Sequence, residues 1–159
     1  MTLHADYDSP LGRLRVTAST KGIVSLEFVP SKAKPVLPTT LLLKKAFRQL
    51  DLYFKGKLQA FDLPLDPTGT PFQSQVWKAL SQIPYGETRT YGEIAKKIRS
   101  PRASRAVGGA CNRNPLLIIV PCHRVVGSTG KLVGFAWGLK AKQALLDGEK
   151  QEISASTLQ

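Results

Sequence analysis

The chain has 159 residues, which suits one domain or two small domains sharing a core, and its hydrophobic fraction of 42% excludes a disordered chain. It has no apolar run long enough to span a bilayer and no signal-peptide pattern, so we expect a cytoplasmic protein without a membrane partner. With 23 Lys and Arg against 11 Asp and Glu, the net charge of +12 favours a polyanion partner, above all nucleic acid.

The cysteines and histidines restrict the chemistry further. Cys111 and Cys122 are the two thiols, and two thiols without a signal peptide favour a reducing compartment over a disulfide framework. His4 and His123 are the two histidines, and no Cys-x-x-Cys or His-x-x-x-His pair occurs. The sequence therefore predicts no metal site, and we expect no cofactor.

The first third of the chain predicts an antiparallel meander followed by a helix. Alternating apolar and polar residues, separated by turn signals, predict three strands, at 3–7, 14–18 and 23–29. After a proline-rich loop, Thr39 or Thr40 can cap a helix that runs to about Lys55 and ends at Gly56. The following segment, to Gly69, connects two halves of the chain.

Three further helices are predicted from capping signals and apolar faces. Thr70 and Pro71 are a typical N-cap and first residue, and they open the first of these helices. Thr90 and Glu93 form a capping box for a helix over 91–98. Near the end of the chain, a helix is expected from Lys140 to about Leu146, followed by a polar, frayed tail over 150–159.

A basic stretch between Arg89 and Arg113 contains a possible helix-turn-helix. Seven Lys and Arg lie in it, with Glu93 as the one acid. Ser100 and Pro101 predict the start of a second helix that runs to about Cys111, directly after the helix over 91–98. Two short helices joined by a tight turn are typical of DNA-binding units, although many such pairs bind nothing and a charge run can be a solvated surface.

The second helix of this pair is made almost entirely of small residues. Its small members are Ala103, Ala106, Gly108, Gly109 and Ala110. Glycine destabilises a helix interior by about 1 kcal/mol relative to alanine, so a close approach of the backbone to another surface is expected. That surface is either another helix of the same chain or a groove of a nucleic acid.

The run Leu116–Val126 centres on a single cysteine. Consecutive aliphatic residues predict a buried strand that ends at Pro121 and delivers Cys122 to a turn. Because His123 and Arg124 can both carry positive charge, a lowered pKa is expected for the thiol, and the thiolate is the reactive form. A buried, inert cysteine remains the alternative.

The motif Pro-Cys-His-Arg-Val-Val at 121–126 resembles the active-site signature of the O6-alkylguanine-DNA alkyltransferases. The string from Gly69-Thr70-Pro71-Phe72-Gln73 to Ile83-Pro84-Tyr85-Gly86-Glu87-Thr88 resembles the same family. The resemblance covers roughly 65–150. It implies an α/β fold class, with a small N-terminal ribonuclease H-like α/β domain at 1–64. A mostly helical C-terminal domain with a helix-turn-helix is implied at 65–159.

The resemblance also implies the catalytic roles. Cys122 is the nucleophile that accepts the alkyl group. His123 acts as its base through a bound water, and Glu149 orients His123. Asn114 braces the turn that carries the cysteine.

Roles in DNA and substrate binding are implied in the same way. Tyr91 presses on the phosphate of the damaged nucleotide, and Arg105 enters the base stack as a finger. The further implied DNA contacts are Arg102, Ala106, Gly108 and Arg124. The implied pocket for the base consists of Val125, Phe135, Ala136 and Trp137. Phe135 stands where a tyrosine is common in the family, and Trp137 stands where some members have glycine, which could narrow the pocket.

The function implied is DNA repair by a single-turnover transfer to Cys122. The substrates are O6-alkylguanine and O4-alkylthymine in duplex DNA, with the damaged base flipped out through the minor groove. The expected partner is double-stranded DNA, bound by a monomer that associates with the nucleoid. The alternatives are a lesion-binding relative, which the presence of Cys122 opposes, a helix-turn-helix regulator, and a cysteine hydrolase.

Overall fold

A computed structural model describes residues 1–158, with side chains for 1–152. The chain forms two units, and the first consists of residues 1–68 together with 115–119. The second consists of residues 69–114 and continues from Val120. Leu65 forms a parallel bridge with Ile23, and the first of the two segments of the first unit ends at Thr68. The predicted fold class, a small α/β domain followed by a mostly helical one, is confirmed.

The first unit contains a three-stranded antiparallel sheet and one long helix. The strands are β1 (Leu3–Ser9), β2 (Gly12–Ala18) and β3 (Ile23–Phe28), in the order β1-β2-β3. The helix α1 (Leu41–Phe54) packs against β1 and β2. All four predicted elements are confirmed, and β1 and β2 each extend two residues beyond the prediction. Leu14, Val16 and Leu43 are fully buried, so the core lies between the sheet and α1.

Both ends of α1 follow from local sequence. The Thr40 hydroxyl accepts a hydrogen bond from the Leu43 amide, which satisfies one of the unpaired donors at the helix start. At the other end Gly56 has a φ of 71°, and its amide donates to the Tyr53 carbonyl. The next amide, from Lys57, donates to the Leu52 carbonyl, which completes a Schellman motif.

The apolar run that precedes the cysteine is not a strand, and this prediction was wrong. Leu116 forms a single parallel bridge with Leu26 of β3, after which the chain turns. Ile118 has a φ of 71°, and the Ile119 amide donates to the Leu117 carbonyl at 2.8 Å, which is a γ-turn. The run is apolar because it is buried, not because it is extended. A β-branched residue in this conformation carries strain of about 1–3 kcal/mol.

The second unit is mostly helical, with a two-residue parallel strand pair. Its helices are α2 (Pro71–Leu80), α3 (Tyr91–Lys97), α4 (Ser104–Asn112) and α5 (Leu139–Leu158). The strands β4 (Arg89–Thr90) and β5 (Val125–Val126) pair in parallel and were not predicted. The predicted capping boxes at Thr70 and Thr90 are both present. The Trp77 indole of α2 donates to the Ala110 carbonyl of α4 at 2.9 Å and so ties these helices together.

The helices α3 and α4 pack against each other as a helix-turn-helix. The predicted start of α4 at Pro101 was wrong, since residues 101 and 102 form a turn and α4 begins at Ser104 without a side-chain cap. The preceding turn begins at Arg99, whose φ is 62°. Its amide donates to the Lys96 carbonyl, and the Ser100 amide donates to the Ala95 carbonyl. This is a second Schellman motif, with arginine where glycine is usual.

The last helix is much longer than the sequence predicted. Instead of ending near Leu146, α5 continues through the polar segment to Leu158, so the prediction of a frayed tail was wrong for 150–158. Residue 159 lies outside the described part of the chain. Across the described residues, no helix is long and apolar enough to cross a membrane.

The Schellman motif at Arg99 gives a stability prediction. Arg99→Gly should raise the free energy of unfolding by roughly 0.5–1 kcal/mol, because glycine avoids the steric penalty of the left-handed conformation but loses more chain entropy on folding. Urea denaturation measures this change.

Lys97→Gly is the matched control, two residues earlier at an ordinary helical position. It should lower the free energy of unfolding by about 1 kcal/mol. Destabilisation by both substitutions would contradict the left-handed assignment of Arg99.

Candidate active site

Cys122 lies at the start of a short 3-10 turn, directly after a γ-turn at proline. Pro121 has φ −81° and ψ 65°, and the Cys122 amide donates to the Val120 carbonyl at 2.8 Å. The 3-10 turn covers Cys122–Arg124. The cysteine is only 6% exposed. Proline favours this geometry because its fixed φ matches the γ-turn.

Asn114 holds this turn from the end of α4. Its Nδ2 donates to the Val120 carbonyl at 2.8 Å, and its side chain also hydrogen bonds with Cys122. Burial raises the pKa of the Cys122 thiol, and the hydrogen bond from Asn114 and the charge of Lys142 oppose this without reversing it. The expected lowering of the pKa was therefore wrong. The free thiol is protonated at neutral pH, so a nearby base is needed to activate it.

Glu149 of α5 is the centre of a buried polar cluster. It is 1% exposed and, among the described residues, accepts four hydrogen bonds. One comes from the Gly86 amide at 3.1 Å and one from His123 Nε2 at 2.6 Å. Arg124 donates the other two, from Nε at 2.8 Å and Nη2 at 3.1 Å. Burial raises the pKa of Glu149, but His123 and Arg124 outweigh it and bring the pKa to about 2.

His123 is completely buried and neutral. Burial lowers its pKa, and this effect exceeds the opposing influence of Glu149. Because the ionised Glu149 can only accept, His123 Nε2 carries the proton and donates, which leaves Nδ1 as the basic nitrogen. Within the described residues, no polar group hydrogen bonds with Nδ1. A neutral imidazole with a free, correctly oriented basic nitrogen can accept a proton.

Arg124 is part of this cluster and not of a DNA-binding surface. It is 6% exposed, and its Nη1 donates to the Ile83 carbonyl at 2.7 Å while its other nitrogens pair with Glu149. The sequence-based assignment of Arg124 as a DNA contact was therefore wrong. Burial and three internal hydrogen bonds turn this guanidinium away from a phosphate at the surface.

Two members of the site were not predicted. Gly86 contributes a backbone amide, which sequence does not reveal. Lys142 of α5 is 0% exposed, and its charge acts on Cys122. A signal for Lys142 was present, because it lies three, four and seven residues before Leu145, Leu146 and Glu149, on one helical face.

An open cavity of about 450 Å³ lies between α3, α4 and the segment after β5. Tyr91, Arg105 and Gly108, which the resemblance assigns to DNA binding, all border it, and so do Val133 and Gly134. The Tyr91 hydroxyl donates to the Val133 carbonyl at 2.9 Å. Burial raises the pKa of Tyr91 to about 12, so its hydroxyl remains protonated.

The remaining predicted residues lie in different surroundings. Arg102 and Ala106 are exposed at the turn and on α4. Val125 is fully buried in β5, and Phe135 is half-buried. Ala136 is exposed, and Trp137 is 36% exposed.

The two glycines of α4 are not explained by packing within the unit. A Cβ at Gly109 would meet nothing within 4 Å, and one at Gly108 would make ordinary contact with the Tyr91 ring at 3.8 Å. Both positions have room for alanine, which is the better helix former. Close helix-on-helix packing therefore does not account for these glycines. The other explanation, a close approach to a groove of a nucleic acid, is left.

Comparison with known proteins agrees with this arrangement. Residues 3–67 match the ribonuclease-like domain of 6-O-methylguanine DNA methyltransferase, and residues 71–151 match its DNA binding domain. The methylated-DNA–protein-cysteine methyltransferase of Methanosarcina barkeri is 52% identical over 92% of this chain and 96% of its own. The chain belongs to the methylated-DNA–protein-cysteine methyltransferase family.

Solved structures extend this similarity to the fold of most of the chain. A crystal structure of the Mycobacterium tuberculosis O6-methylguanine methyltransferase has a TM-score of 0.86 and 46% identity, covering 96% of this chain and 94% of that one. A crystal structure of Mycobacterium tuberculosis OGT in complex with DNA has a TM-score of 0.84 and 47% identity, covering 92% of each chain. A methyltransferase of this family needs a cysteine acceptor, and Cys122 is the thiol beside the His123–Glu149 pair.

The part of the chain with described side chains contains no cluster of three or more His, Cys, Asp or Glu residues that could hold a metal ion. The residues around Cys122 instead provide a proton acceptor, a carboxylate that orients it, and hydrogen bonds that fix the backbone. This set suits nucleophilic chemistry at sulfur.

The buried Glu149 cluster gives a prediction for stability. Glu149→Gln should lower the free energy of unfolding at pH 7 by about 3 kcal/mol, since it leaves the Arg124 charge buried without its anion. The carboxyl pKa is about 2 when folded, against an ordinary 4.5. Its stabilisation is therefore complete above pH 4.5 and is lost as the pH falls towards 2. Urea denaturation at several pH values measures both effects.

Glu87→Gln provides the control, because Glu87 forms an exposed pair with Arg89. Its effect should stay within about 1 kcal/mol. Equal, small losses for the two substitutions would show that Glu149 is not the centre of the cluster.

Proposed function

We propose that this protein repairs alkylated DNA by accepting the alkyl group of O6-alkylguanine on Cys122. The observation that carries the proposal is the buried array Cys122, His123 and Glu149, held by Asn114, in a chain of the methylated-DNA–protein-cysteine methyltransferase family. A thiol with a raised pKa needs a base, and the neutral His123 presents its Nδ1 for that role. Glu149 fixes the tautomer and orientation of the ring.

The reaction is a displacement at carbon. The sulfur of Cys122 attacks the alkyl carbon, an S–C bond forms, and the bond between that carbon and O6 breaks with its electron pair left on the purine. The thiol proton passes to His123 through a water molecule, and the net reaction delivers one proton to the departing guanine. The same displacement extends to O4-alkylthymine, whose alkyl group is also bonded to a ring oxygen.

The product on the protein is a thioether. The sulfur of a thioether is a poor leaving group, so the alkyl group stays on Cys122. Each protein molecule therefore acts once, as a stoichiometric acceptor.

Duplex DNA reaches the protein through the helix-turn-helix. Arg102 and Arg105 are exposed on and before α4, in the most basic part of the chain. The cavity bordered by Tyr91 and Arg105 is open to solvent, whereas Cys122 is buried, so the damaged base must leave the stack to react. Arg105 then fills the space that the base leaves. The lack of bulk on α4 favours a close approach along the minor groove, with little selectivity for sequence.

Incubation with duplex DNA containing O6-methylguanine should add one methyl group to each protein molecule. Intact-mass spectrometry measures the gain, and peptide mapping should locate it on Cys122. Cys122→Ala should abolish the transfer, because alanine has no nucleophilic atom, while DNA binding persists.

Cys111 gives the internal control for this experiment. Burial raises its pKa to about 12, so it should stay unmodified. Multiple turnovers, or a methyl group on Cys111, would contradict the assignment of Cys122 as a single-use acceptor.

The glycines of α4 give a second prediction, in which stability and DNA binding change in opposite directions. Gly109→Ala should raise the free energy of unfolding by up to about 1 kcal/mol, because its Cβ enters open space and alanine favours the helix. The same methyl group should weaken binding to undamaged duplex DNA, by about tenfold for an overpacking penalty near 1.4 kcal/mol. Fluorescence anisotropy measures the affinity.

Gly148→Ala is the matched control in α5, where a Cβ also meets nothing within 4 Å. It should stabilise the protein without changing DNA affinity. Unchanged affinity in the Gly109 variant would show that the backbone of α4 does not approach DNA closely.

A further inference from the structure

Lys142 occupies a buried position of α5, where no described side chain provides it with an anionic partner. It is 0% exposed, whereas lysine is almost never fully buried unless its charge is paired. Its Nζ donates to the Gly134 carbonyl at 3.1 Å. None of the ion pairs among the residues with described side chains includes Lys142. A buried charge of this kind needs compensation from its surroundings.

Two aromatic rings and one carbonyl fix the position of the ammonium group. Nζ lies 5.9 Å from the ring centroids of both Tyr91 and Phe135, within the range of cation–π attraction. Together with the Gly134 carbonyl, these contacts hold the charge in one place. A long lysine side chain held in this way can provide a directed electric field.

The neighbouring charged cluster cannot supply positive charge to Cys122. Arg124 is paired in a bidentate arrangement with Glu149, and His123 is neutral, so these three residues sum to no net charge. Burial raises the pKa of the Cys122 thiol, and Lys142 is the cation that opposes this. Burial lowers the pKa of Lys142, and Cys122 and Cys111 oppose that in turn.

The other titratable groups that face this pair are neutral near pH 7. Burial raises the pKa of both Cys111, from α4, and Tyr91, from α3, to about 12. His123, from the 3-10 turn, has a pKa lowered by its burial. When the thiol loses its proton, Cys122 becomes the anion that faces the ammonium group of Lys142.

We propose that Lys142 is a positioning residue for alkyl transfer, whose buried ammonium group supplies the counter-charge that stabilises the thiolate of Cys122. The inference rests on the proposed function of Cys122 and adds a residue on which that function depends. No bond forms or breaks at Lys142, and it acts entirely through the sulfur. Its buried charge destabilises the fold, which is the expected signature of a group kept for reactivity.

The direct test measures the thiolate fraction of Cys122 in the absence of DNA. The rate of carboxamidomethylation of Cys122 by iodoacetamide is followed from pH 6 to pH 10 by peptide mass, for wild type and Lys142→Met. Because burial raises the pKa of the thiol, the thiolate fraction rises throughout this range, and the shift of the midpoint is measured as the displacement of one pH profile from the other along the pH axis. Methionine has a similar length and shape and no charge. The midpoint should move up by at least about one pH unit, so the rate at pH 7.5 should fall about tenfold. An unshifted midpoint would overturn the inference.

Two further variants separate charge from packing. Lys142→Arg keeps the positive charge and should restore the midpoint at least in part, whereas Lys142→Gln should shift it as methionine does and replaces Lys142→Met if that variant fails to fold. Lys140→Met removes an exposed lysine two residues earlier on α5 and should leave the midpoint unchanged. A midpoint shift of equal size in Lys140→Met would show that the overall charge of the protein, and not the ammonium group of Lys142, sets the thiolate fraction.

The rate of methyl transfer from O6-methylguanine in duplex DNA provides the second test. Lys142→Met should slow it about tenfold, while its melting temperature stays at or above that of wild type because a buried charge has been removed. Slower transfer with a lower melting temperature and an unshifted midpoint would mean that Lys142 only supports the fold. Failure of the wild-type protein to accept a methyl group would overturn the proposed function instead, whatever the midpoint does.

Discussion

The second unit depends on one buried carboxylate. Glu149 accepts hydrogen bonds from a backbone amide, from His123 and from Arg124, and its ionised state is secured by those same donors. A buried carboxylate is tolerated only when it is paired and hydrogen bonded, and here both conditions are met by residues next to the nucleophile. Arg124 balances the charge, which allows His123 to remain neutral. Without Arg124, the carboxylate would favour a protonated imidazole, and the base would be lost.

Burial of Cys122 has a second consequence, for selectivity. A thiol with a raised pKa reacts slowly with electrophiles in solution, because the thiolate is the nucleophile. Activation requires a proton acceptor and a substrate held against the sulfur. The damaged nucleobase must therefore enter the site before the thiol can react. The chemistry is therefore limited to an alkyl group presented in the correct geometry, which suits a protein that can react only once.

Sequence predicted those features that short-range physics determines. The N-caps at Thr40, Thr70 and Thr90 were found because a hydroxyl three residues before an amide donor is a local pattern. The positive φ values of Arg99 and Ile118 were not predicted, since a residue with a Cβ rarely adopts this conformation and sequence gives no signal for it. The active site shows the same division between local features, which sequence predicts, and long-range features, which depend on the fold. The motif at 121–126 pointed to Cys122 and His123, and the family resemblance added Glu149, but whether Arg124 faces DNA or a carboxylate depends on the fold.

Asn114 connects these local and long-range features. Residues 115–119 belong to the first unit, where Leu116 pairs with Leu26, while Asn114 and Val120 on either side of them belong to the second. The hydrogen bond from Asn114 to the Val120 carbonyl joins the two ends of this excursion. It also fixes the residue from which the γ-turn to Cys122 begins. Since the same side chain hydrogen bonds with Cys122, one amide group both closes the loop and sets the position of the sulfur that the loop delivers.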